Sequence, residues 1–328
     1  MSIAPSPVSA APSAVTAIKV DPAILACPAC GGAVVASGGE SIVCRGCRAT
    51  YPLVDGIPVL INEAKSLFRH ADFTAKNATF FRGEGSIRER IFALLPSLSK
   101  NFWAKAEYRK LKALLLERNA RPRVLIIGGS ILGAGMEAFR ASPEIDFVDS
   151  DVSHGPLTKI ICDGHDLPFQ SGSFDAVVAQ AVFEHVADPV RVVAEVRRVL
   201  KADGLIYADT PFLQPAHATP FDFHRFTFVG YRQLFAGFDR ISLQPMGGPG
   251  HALGHAWESF WICMSDNRVL RGGLYIFARL TGFWIKYLDL YLNNKAHALH
   301  VAFGLLFVGR KRKETLSLAE IIADVKGL

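Results

Sequence analysis

The sequence lacks an uninterrupted apolar run long enough to cross a bilayer. A spanning helix needs about 20 mostly apolar residues, whereas the most apolar stretch, residues 272–291, contains two basic residues and one acidic residue. We therefore expect no transmembrane helix, although the mean hydropathy of +0.24 is high for a water-soluble protein. The N-terminus also lacks a basic start and a continuous apolar segment. Residues 1–20 are therefore predicted to be the disordered tail of a cytoplasmic protein, not a secretion signal.

A strong excess of charge of either sign is also missing. The net charge is +6, a basic balance that favours acidic partners without by itself indicating nucleic acid. Basic residues do cluster in the segment 63–121, where leucines at helical spacing predict a helical linker. A solvated helix face is the preferred interpretation of this cluster, and contact with phosphate is the alternative. Its members are Arg82, Arg88, Arg90, Lys105, Arg109, Lys110 and Lys112.

Cysteine is scarce, but four of the six cysteines form two CxxC pairs, Cys27/Cys30 and Cys44/Cys47. Without an export signal, such pairs indicate a metal rather than disulfides. Each pair places two thiolates on a tight turn, and four thiolates complete a closed tetrahedral zinc site that has no position for water. We therefore predict a small domain over residues 21–62 with a structural zinc ion that supplies much of its folding free energy.

The sequence around these cysteines resembles a known family over residues 24–60. The matching segments are Ile24-Leu25-Ala26-Cys27-Pro28-Ala29-Cys30-Gly31-Gly32, Cys44-Arg45-Gly46-Cys47 and Tyr51-Pro52-Leu53-Val54-Asp55-Gly56-Ile57-Pro58-Val59-Leu60. They resemble the small zinc-ribbon proteins that activate tRNA and release-factor methyltransferases. In that family the ribbon supports a methyltransferase and performs no chemistry itself. The resemblance implies that a ribbon and its client lie on one chain here.

From Arg123 onwards, short apolar strands alternate with helical segments. Strands are predicted at 124–127, 145–148, 159–162, 174–180 and 205–209. Asp188-Pro189 caps a helix that Gly204 ends, and its predicted apolar face consists of Val190, Val193, Val196, Val199 and Leu200. The alternation predicts an α/β domain over residues 122–312 with a doubly wound parallel sheet, followed by a C-terminal tail over residues 313–328.

Glycines and carboxylates follow the first three of these strands. Gly128-Gly129 follows the first, Asp149 and Asp151 follow the second, and Asp163 follows the third. In an open parallel sheet, ligands bind beyond the carboxyl ends of the strands. A glycine turn lets the backbone approach a ligand closely, while carboxylates suit a ribose diol and an exocyclic amine. This order predicts a nucleoside-containing cofactor and leaves NAD and S-adenosylmethionine open.

Later segments resemble the class I methyltransferases over residues 123–238. They are Asp163-Gly164-His165-Asp166-Leu167-Pro168-Phe169, Ser173-Phe174-Asp175-Ala176-Val177-Val178, Glu184-His185-Val186-Ala187-Asp188-Pro189 and Leu200-Lys201-Ala202-Asp203-Gly204. The resemblance implies S-adenosylmethionine and a seven-stranded Rossmann-like sheet that ends in an antiparallel hairpin, with residues 301–308 as its final edge strand. The implied cofactor contacts are Asp151 with the ribose, Asp163 and the Gly164 backbone with adenine, Gln180 and Ala181 beside the sulfonium, and Gly128, Gly129 and Gly133 in the first loop.

The first loop departs from the family pattern. Ile126 stands where the family has an acid two residues before the first glycine, and Ser130-Ile131-Leu132 displaces the next glycine to Gly133. The missing carboxylate removes one expected contact with the methionine end of the cofactor. A methyltransferase-like adaptor without catalysis is therefore one alternative function.

Two histidines, His185 and His217, are the predicted catalytic residues. Methyl transfer from a sulfonium is an in-line displacement, so the protein aligns the nucleophile and, for a hydroxyl, accepts a proton. The segment Glu184-His185 could equally cap a turn, and metal chelation by this pair would resemble certain quinol methyltransferases, although the sequence reveals no further ligand. The loop that follows the fifth strand supplies the predicted substrate residues, which are Asp222, His224 and Arg225. For Asp222 and Arg225, the alternative role is an ion pair that orders the loop.

An aromatic insert is predicted over residues 247–294. Packing on its own core is the preferred interpretation, and a lid or a surface for an amphipathic substrate is the alternative. For the chain as a whole, peripheral membrane contact is left open. The leading function is methylation of a small-molecule or glycan acceptor. An RNA methyltransferase, which would bind RNA in a salt-sensitive way through the basic segment, is the enzymatic alternative, and nucleic acid is not favoured. The oligomeric state is left open.

Overall fold

The computed structural model describes residues 18–37, 41–76 and 94–326. Most of the predicted disordered tail and three of the clustered basic residues lie outside these ranges; the three are Arg82, Arg88 and Arg90. Within the described ranges, the chain forms a four-stranded and a seven-stranded sheet. No helix of the described residues is long and apolar enough to span a bilayer.

The elements are numbered here in chain order. The strands are β1 (Val34–Ala36), β2 (Ser41–Cys44), β3 (Thr50–Val54), β4 (Ile57–Pro58), β5 (Arg123–Ile127), β6 (Asp146–Asp151), β7 (Ile160–Ile161), β8 (Phe174–Gln180), β9 (Leu200–Pro211), β10 (Phe238–Gly247) and β11 (Gly304–Lys311). The α-helices are α1 (His70–Thr74), α2 (Ala104–Leu116), α3 (Glu137–Arg140), α4 (Pro189–Val199), α5 (Phe228–Leu234), α6 (Pro249–Cys263), α7 (Arg268–Gly282), α8 (Asp289–Leu292) and α9 (Leu318–Val325). Single 3-10 turns lie at Pro22–Ile24, Gly164–Asp166, Ile285–Leu288 and Ala298–Val301.

The large sheet has the strand order β10-β11-β9-β8-β5-β6-β7. Its five strands from β7 to β9 are parallel, and β11 pairs antiparallel with both β9 and β10. The predicted doubly wound sheet with a terminal antiparallel hairpin is confirmed. The prediction that residues 301–308 form an edge strand is wrong, because β11 inserts between β9 and β10 and leaves β10 at the edge.

The strands run longer than their apolar cores. β6 continues through Asp149 to Asp151, since Arg140 and the amide of Ser130 satisfy these two carboxylates inside the fold. β9 begins at Leu200, where it pairs with β8. The predicted strands 145–148 and 205–209 are shorter than β6 and β9, because the partners of the added residues are distant in the sequence.

Helix α4 begins as predicted, but its buried face differs from the prediction. Asp188 accepts a hydrogen bond from the amide of Arg191, which makes it the N-cap, and Pro189 occupies the first turn. Val192 is buried in place of Val190, which is 69% exposed. The helix ends at Val199, so the predicted stop, Gly204, lies inside β9.

The four-stranded sheet is docked on the free edge of the large sheet. Val59 forms a parallel bridge with Ile161 of β7, and Leu25 forms an antiparallel bridge with Phe169. Buried residues of the small sheet belong to the same hydrophobic cluster as the core beneath β5, β8 and β9. The small domain therefore covers a strand edge that would otherwise expose unpaired backbone groups.

Candidate functional site

The four paired cysteines converge at one end of the small sheet. Their sulfur atoms lie within 4.8 Å of one another, and the Sγ atoms of Cys27 and Cys47 are 3.7 Å apart, while those of Cys30 and Cys44 are 3.5 Å apart. Zinc–sulfur bonds of about 2.3 Å in a tetrahedron place sulfur atoms about 3.8 Å apart. The geometry therefore fits the four-thiolate zinc site that the spacing predicts.

Backbone amides and a glycine complete this cluster. A Cβ at Gly32 would lie 3.3 Å from the sulfurs of both Cys30 and Cys44, so only glycine leaves them room. Burial raises the pKa of Cys44, but the amides of Cys47 and Gly46 outweigh it and hold the value at about 6. A thiol with so low a pKa is largely thiolate at neutral pH, the form that binds zinc.

The first loop of the large domain turns sharply at Gly128, which has a positive φ of 72°. A Cβ at this position would come within 2.9 Å of Val182. The amide of Gly129 donates to the carbonyl of Ser150, and the amide of Ser130 donates to Oδ2 of Asp151. The loop is thus fastened to the end of β6 and needs glycine at its first position.

The two carboxylates of β6 have different surroundings. Asp149 is buried and paired with Arg140 at 3.0 Å and with Lys159 at 3.9 Å, which gives it a structural role. Asp151 is also buried, with backbone amides as its partners, and burial raises its pKa. Asp151 is therefore the member of the pair without a cationic partner, at the carboxyl end of the strand.

Asp163 follows β7 and is held by groups from two directions. Oδ2 accepts a hydrogen bond of 2.6 Å from the Ser66 hydroxyl, and Oδ1 accepts from the amide and the ring of His165. Burial raises the pKa of Asp163, but the bonds from His165 and Ser66 outweigh it and keep the carboxylate ionised. Since a carboxylate has about four acceptor positions, one remains for a further donor. The Gly164 backbone lies in the adjacent 3-10 turn.

At the end of β8, Gln180 contacts the first loop. Its side-chain amide donates to the carbonyl of Ala134, and its Oε1 accepts from the Tyr108 hydroxyl. A Cβ at Gly133 would lie only 2.0 Å from that oxygen, so a larger residue here would force the Gln180 side chain to move. Ala181, which follows, has a positive φ of 53°, a conformation that costs energy in a residue other than glycine and that clusters at functional sites.

Sequence reasoning missed two buried polar groups beside Ala181. Asp209 of β9 accepts from the amide of Ala181, while its Oδ2 makes no hydrogen bond to a described residue. Burial raises the pKa of Asp209 to about 7. Tyr108 of α2 stacks on Tyr207 at 4.4 Å. The only sequence signal for Asp209 was an acid at the end of a predicted strand, and Tyr108 had none, because α2 is distant in sequence.

Glu184, His185 and His217 form a second cluster of ligand-type side chains. Oε1 of the fully buried Glu184 lies 3.7 Å from Nε2 of His185 and 3.9 Å from Nε2 of His217. The two rings meet edge to face with centroids 5.0 Å apart. Burial raises the pKa of Glu184 to about 8 and lowers the pKa of both histidines. Glu184 and His185 lie in the turn after β8, not on the strand.

The loop after β9 carries the predicted substrate residues. Asp222 and Arg225 form a two-pronged ion pair, and Asp222 also accepts from the amide of His217. This is the ordering role set out as their alternative. The Nε2 atom of His224 lies 3.2 Å from the carbonyl of Ala187, so its ring faces away from the His185–His217 pair.

A cavity of about 850 Å³ lies elsewhere, at the amino ends of β5, β6 and β8. It is lined mainly by charged side chains, including Arg121, Lys159 and Lys201. Ligands of open parallel sheets bind at the opposite, carboxyl ends of the strands. Asp151, Asp163 and Gln180 lie at those carboxyl ends, so we place the candidate site at that edge of the sheet.

Two family models match the chain. The model described as "Methyltransferase domain" matches residues 137–208, and the model described as "Trm112p-like protein" matches residues 23–56. A UPF0434 protein of Nitrosococcus oceani is 37% identical over 46 residues, which cover 14% of this chain and 78% of that protein. An uncharacterized 37.1 kDa protein in transposon TN4556 of Streptomyces fradiae is 43% identical over 120 residues, 31% of this chain. The match spans about a third (35%) of the length of the Streptomyces protein.

Solved structures with a similar fold are more distant. A putative sarcosine dimethylglycine methyltransferase from Galdieria sulphuraria is 14% identical, with 63% of this chain and 85% of that chain covered and a TM-score of 0.41. The complex between the Haloferax volcanii Trm112 methyltransferase activator and the putative methyltransferase is 20% identical, with 65% and 97% covered and a TM-score of 0.36. Likeness at this level carries no argument about substrates or partners.

Proposed function

We propose that this chain, a class I methyltransferase with a Trm112p-like domain at its N-terminus, transfers a methyl group from S-adenosylmethionine to a small-molecule or glycan acceptor. The observation that carries the proposal is the placement of Asp151 and Asp163 at the carboxyl ends of adjacent parallel strands, beside the glycine turn at Gly128. This is where such sheets bind nucleosides.

In this proposal, the cofactor lies along the carboxyl edge of the sheet. Asp151 binds the ribose hydroxyls and Asp163, with the Gly164 backbone, binds the adenine. The glycines at 128, 129 and 133 let the first loop approach the cofactor, and Gln180 and Ala181 lie beside the sulfonium. Ile126 offers the cofactor no polar contact, whereas Gln180 is held at the first loop by its bonds with Tyr108 and Ala134.

His217 and His185 are the proposed catalytic residues. They lie in the segments that follow β8 and β9, where the acceptor would meet the methyl group. His217 is the more accessible of the two, with 33% of its side chain exposed. A proton leaving an acceptor hydroxyl would pass to this imidazole. Asp222, Arg225 and His224 shape the entrance on the acceptor side.

An RNA methyltransferase is the second candidate, and the Trm112p-like segment at 23–56 favours it. The ribbon in this chain resembles activators of tRNA methyltransferases. The basic residues of α2 would then contact phosphate, which predicts steep salt dependence of binding. The described ones are Lys105, Arg109, Lys110 and Lys112.

A labelling experiment separates these candidates. The zinc-loaded chain, incubated with methyl-tritiated S-adenosylmethionine and fractionated cell extract, is expected to label the small-molecule or glycan pool. Label confined to RNA would support the second candidate. Absence of label from every pool, together with no calorimetric binding of the cofactor, would leave the non-catalytic adaptor and contradict our proposal.

A further inference from the structure

The polar atoms of Glu184, His185 and His217 are spaced more widely than hydrogen-bonded partners. The two distances from Glu184 Oε1 to the histidine Nε2 atoms, 3.7 and 3.9 Å, exceed the usual limit of about 3.2 Å for such bonds. Ligands bound at about 2.1 Å to one metal ion lie about 3 to 4 Å apart. The three atoms are therefore placed as ligands around a common centre.

Glu184 supplies an independent sign of a missing ligand. Its side chain is fully buried, and its Oε2 accepts from the Thr210 hydroxyl at 3.1 Å. Its Oε1 accepts no hydrogen bond from a described residue and is directed at the two imidazoles. A buried carboxylate oxygen without a donor is costly, and a cation between it and the histidines would offset that cost.

The surroundings of the two imidazoles differ. Nδ1 of His185 donates to the carbonyl of Phe221 at 2.5 Å, which directs Nε2 at the site. Nδ1 of His217 lies 3.4 Å from Arg225 Nη2 and 3.7 Å from Asp222 Oδ2. Since a guanidinium can only donate, a metal ion at Nε2 of His217 requires the other tautomer, with the Nδ1 proton turned from Arg225 to Asp222. Metal-binding histidines are usually held by such carbonyl and carboxylate partners.

We propose that Glu184, His185 and His217 bind a divalent transition-metal ion. Two histidines and one carboxylate leave coordination positions open, and the exposed side of His217 faces the acceptor entrance. The open positions suit an oxygen ligand, so the acceptor class is narrowed to molecules with a hydroxyl or carboxylate. This last step rests on the proposed function, whereas metal binding itself does not. A bound ion would replace the proton-accepting role that the proposed function gives His217, and the Mn²⁺ titration decides between the two roles.

The test uses Mn²⁺, which binds imidazole and carboxylate and has little affinity for the thiolates of a zinc-filled ribbon. Titration of the zinc-loaded chain, followed by the electron paramagnetic resonance signal of free Mn²⁺, is expected to show one site per chain. Glu184→Gln and His217→Ala are each expected to weaken binding by at least about tenfold. His297→Ala, which removes an exposed histidine outside the cluster, is the matched control and is expected to leave binding unchanged.

His217→Ala decides the outcome if Glu184→Gln fails to fold, because His217 is partly exposed and its removal leaves the core intact. No bound Mn²⁺, or binding that both variants leave unchanged, would overturn the metal site. S-adenosylmethionine affinity is measured on the same samples. Cofactor binding without Mn²⁺ binding would reject the metal site and retain the methyltransferase proposal. Mn²⁺ binding without cofactor binding would retain the metal site and reject the methyltransferase proposal.

A different surface carries a second inference. α6 and α7 form a helical hairpin inserted between β10 and β11, and the outward face of α7 is apolar. The side chain of Val269 is 84% exposed, and further exposed apolar side chains continue the same face. We call this the hairpin face; its other members are Leu270, Ile276, Phe277, Leu280, Trp284, Tyr287, Leu288, Leu290 and Tyr291. The prediction that the insert packs on its own core holds for Trp257, Trp261 and Phe277, which contact one another, whereas the hairpin face also leaves apolar side chains exposed.

The charge around the hairpin face is one-sided. Between residues 267 and 300 there are five basic residues, of which Arg279 is paired with Glu258 and Lys286 is buried, so that three are exposed. The one acidic residue of this segment is Asp289. Asp289 is buried against the ring of His251, so it adds no negative charge to the surface. Arg268 and Arg271 flank the apolar stripe at one end, and Lys295 lies over the Tyr291 ring at the other. Aromatic and basic residues bordering an apolar helix face are typical of interfacial helices.

We infer that the hairpin face binds an anionic lipid surface. α7 has 15 residues, fewer than the roughly 20 needed to span a bilayer, so it would lie in the headgroup plane. Apolar burial supplies the attraction, and the basic rim selects negatively charged headgroups. A second copy of the chain is the competing occupant, but like basic rims would repel each other across such an interface.

Sedimentation with phosphatidylcholine vesicles, with and without phosphatidylglycerol, tests this. The chain is expected to bind the anionic vesicles, and the double variant Phe277→Ser/Leu280→Ser is expected to reduce partitioning by at least about tenfold. Val190→Ser, a matched change at an exposed valine on α4, is the control. Absence of vesicle binding would overturn the inference, as would a dimer in analytical ultracentrifugation that the double variant abolishes.

Discussion

Removing the metal from the four-cysteine cluster is expected to unfold the small domain and lower the melting temperature of the whole chain by about 10 °C or more. Structural zinc binding contributes roughly 10 kcal/mol in small zinc domains, and each kcal/mol shifts the melting temperature of a large domain by about 2–4 °C. Losing only part of the zinc-binding free energy is enough to lower the melting temperature by this amount. Differential scanning fluorimetry with and without a zinc chelator measures it.

The loss is expected to reach the cofactor site as well. Val59 pairs with β7, and Asp163 follows that strand and accepts from Ser66. Unfolding the small domain would release both contacts. We therefore expect cofactor affinity to fall together with zinc content.

Cys44→Ser should reproduce the effect of chelation, since Cys44 is buried in the cluster. Cys263→Ser is the matched control, because Cys263 is exposed and distant from the other thiols in the fold. A Cys44→Ser chain that keeps its zinc by elemental analysis and melts at the wild-type temperature would contradict the structural role of the site.

Replacing the carboxylate at Asp151 or Asp163 is expected to weaken S-adenosylmethionine binding about a hundredfold. A hydrogen bond to a charged group contributes about 1.5–3 kcal/mol, and each carboxylate is proposed to accept one or two from the adenosine. Asp151→Asn keeps an acceptor for the Ser130 amide, so the first loop should hold its shape. Isothermal titration calorimetry with the cofactor and its demethylated product measures the change, and Asp151→Ala and Asp163→Ala are the more severe versions.

Asp146→Asn is the control for these variants. It lies on the same strand as Asp151, but at the amino end, where it pairs with Arg123 on the surface. Its affinity for the cofactor should equal that of the wild type. If both Asp151→Asn and Asp163→Ala retained wild-type affinity and stability, the site assignment would be wrong.

Much of this architecture could be predicted because it depends on local sequence. Buried strands such as β5 and β8 are continuous apolar runs, since both faces of a parallel sheet are covered. Asp188-Pro189 predicted the start of α4 because a helix cap acts within one helical turn and so also depends on local sequence. The position of β11 could not be predicted, because it pairs antiparallel with both β9 and β10 and this pairing is set by packing rather than by local sequence.

The sequence by itself determined the thiolate cluster and the order of glycine and carboxylates along the first three strands. In both cases a few neighbouring residues set the turn that positions the side chains. Only the tertiary structure brought His217 to Glu184 and His185, turned the hairpin face outward, and placed Ser66 on Asp163 across a separation of 97 residues. Such contacts depend on how the sheet, its loops and the small domain pack together, and no local spacing encodes that.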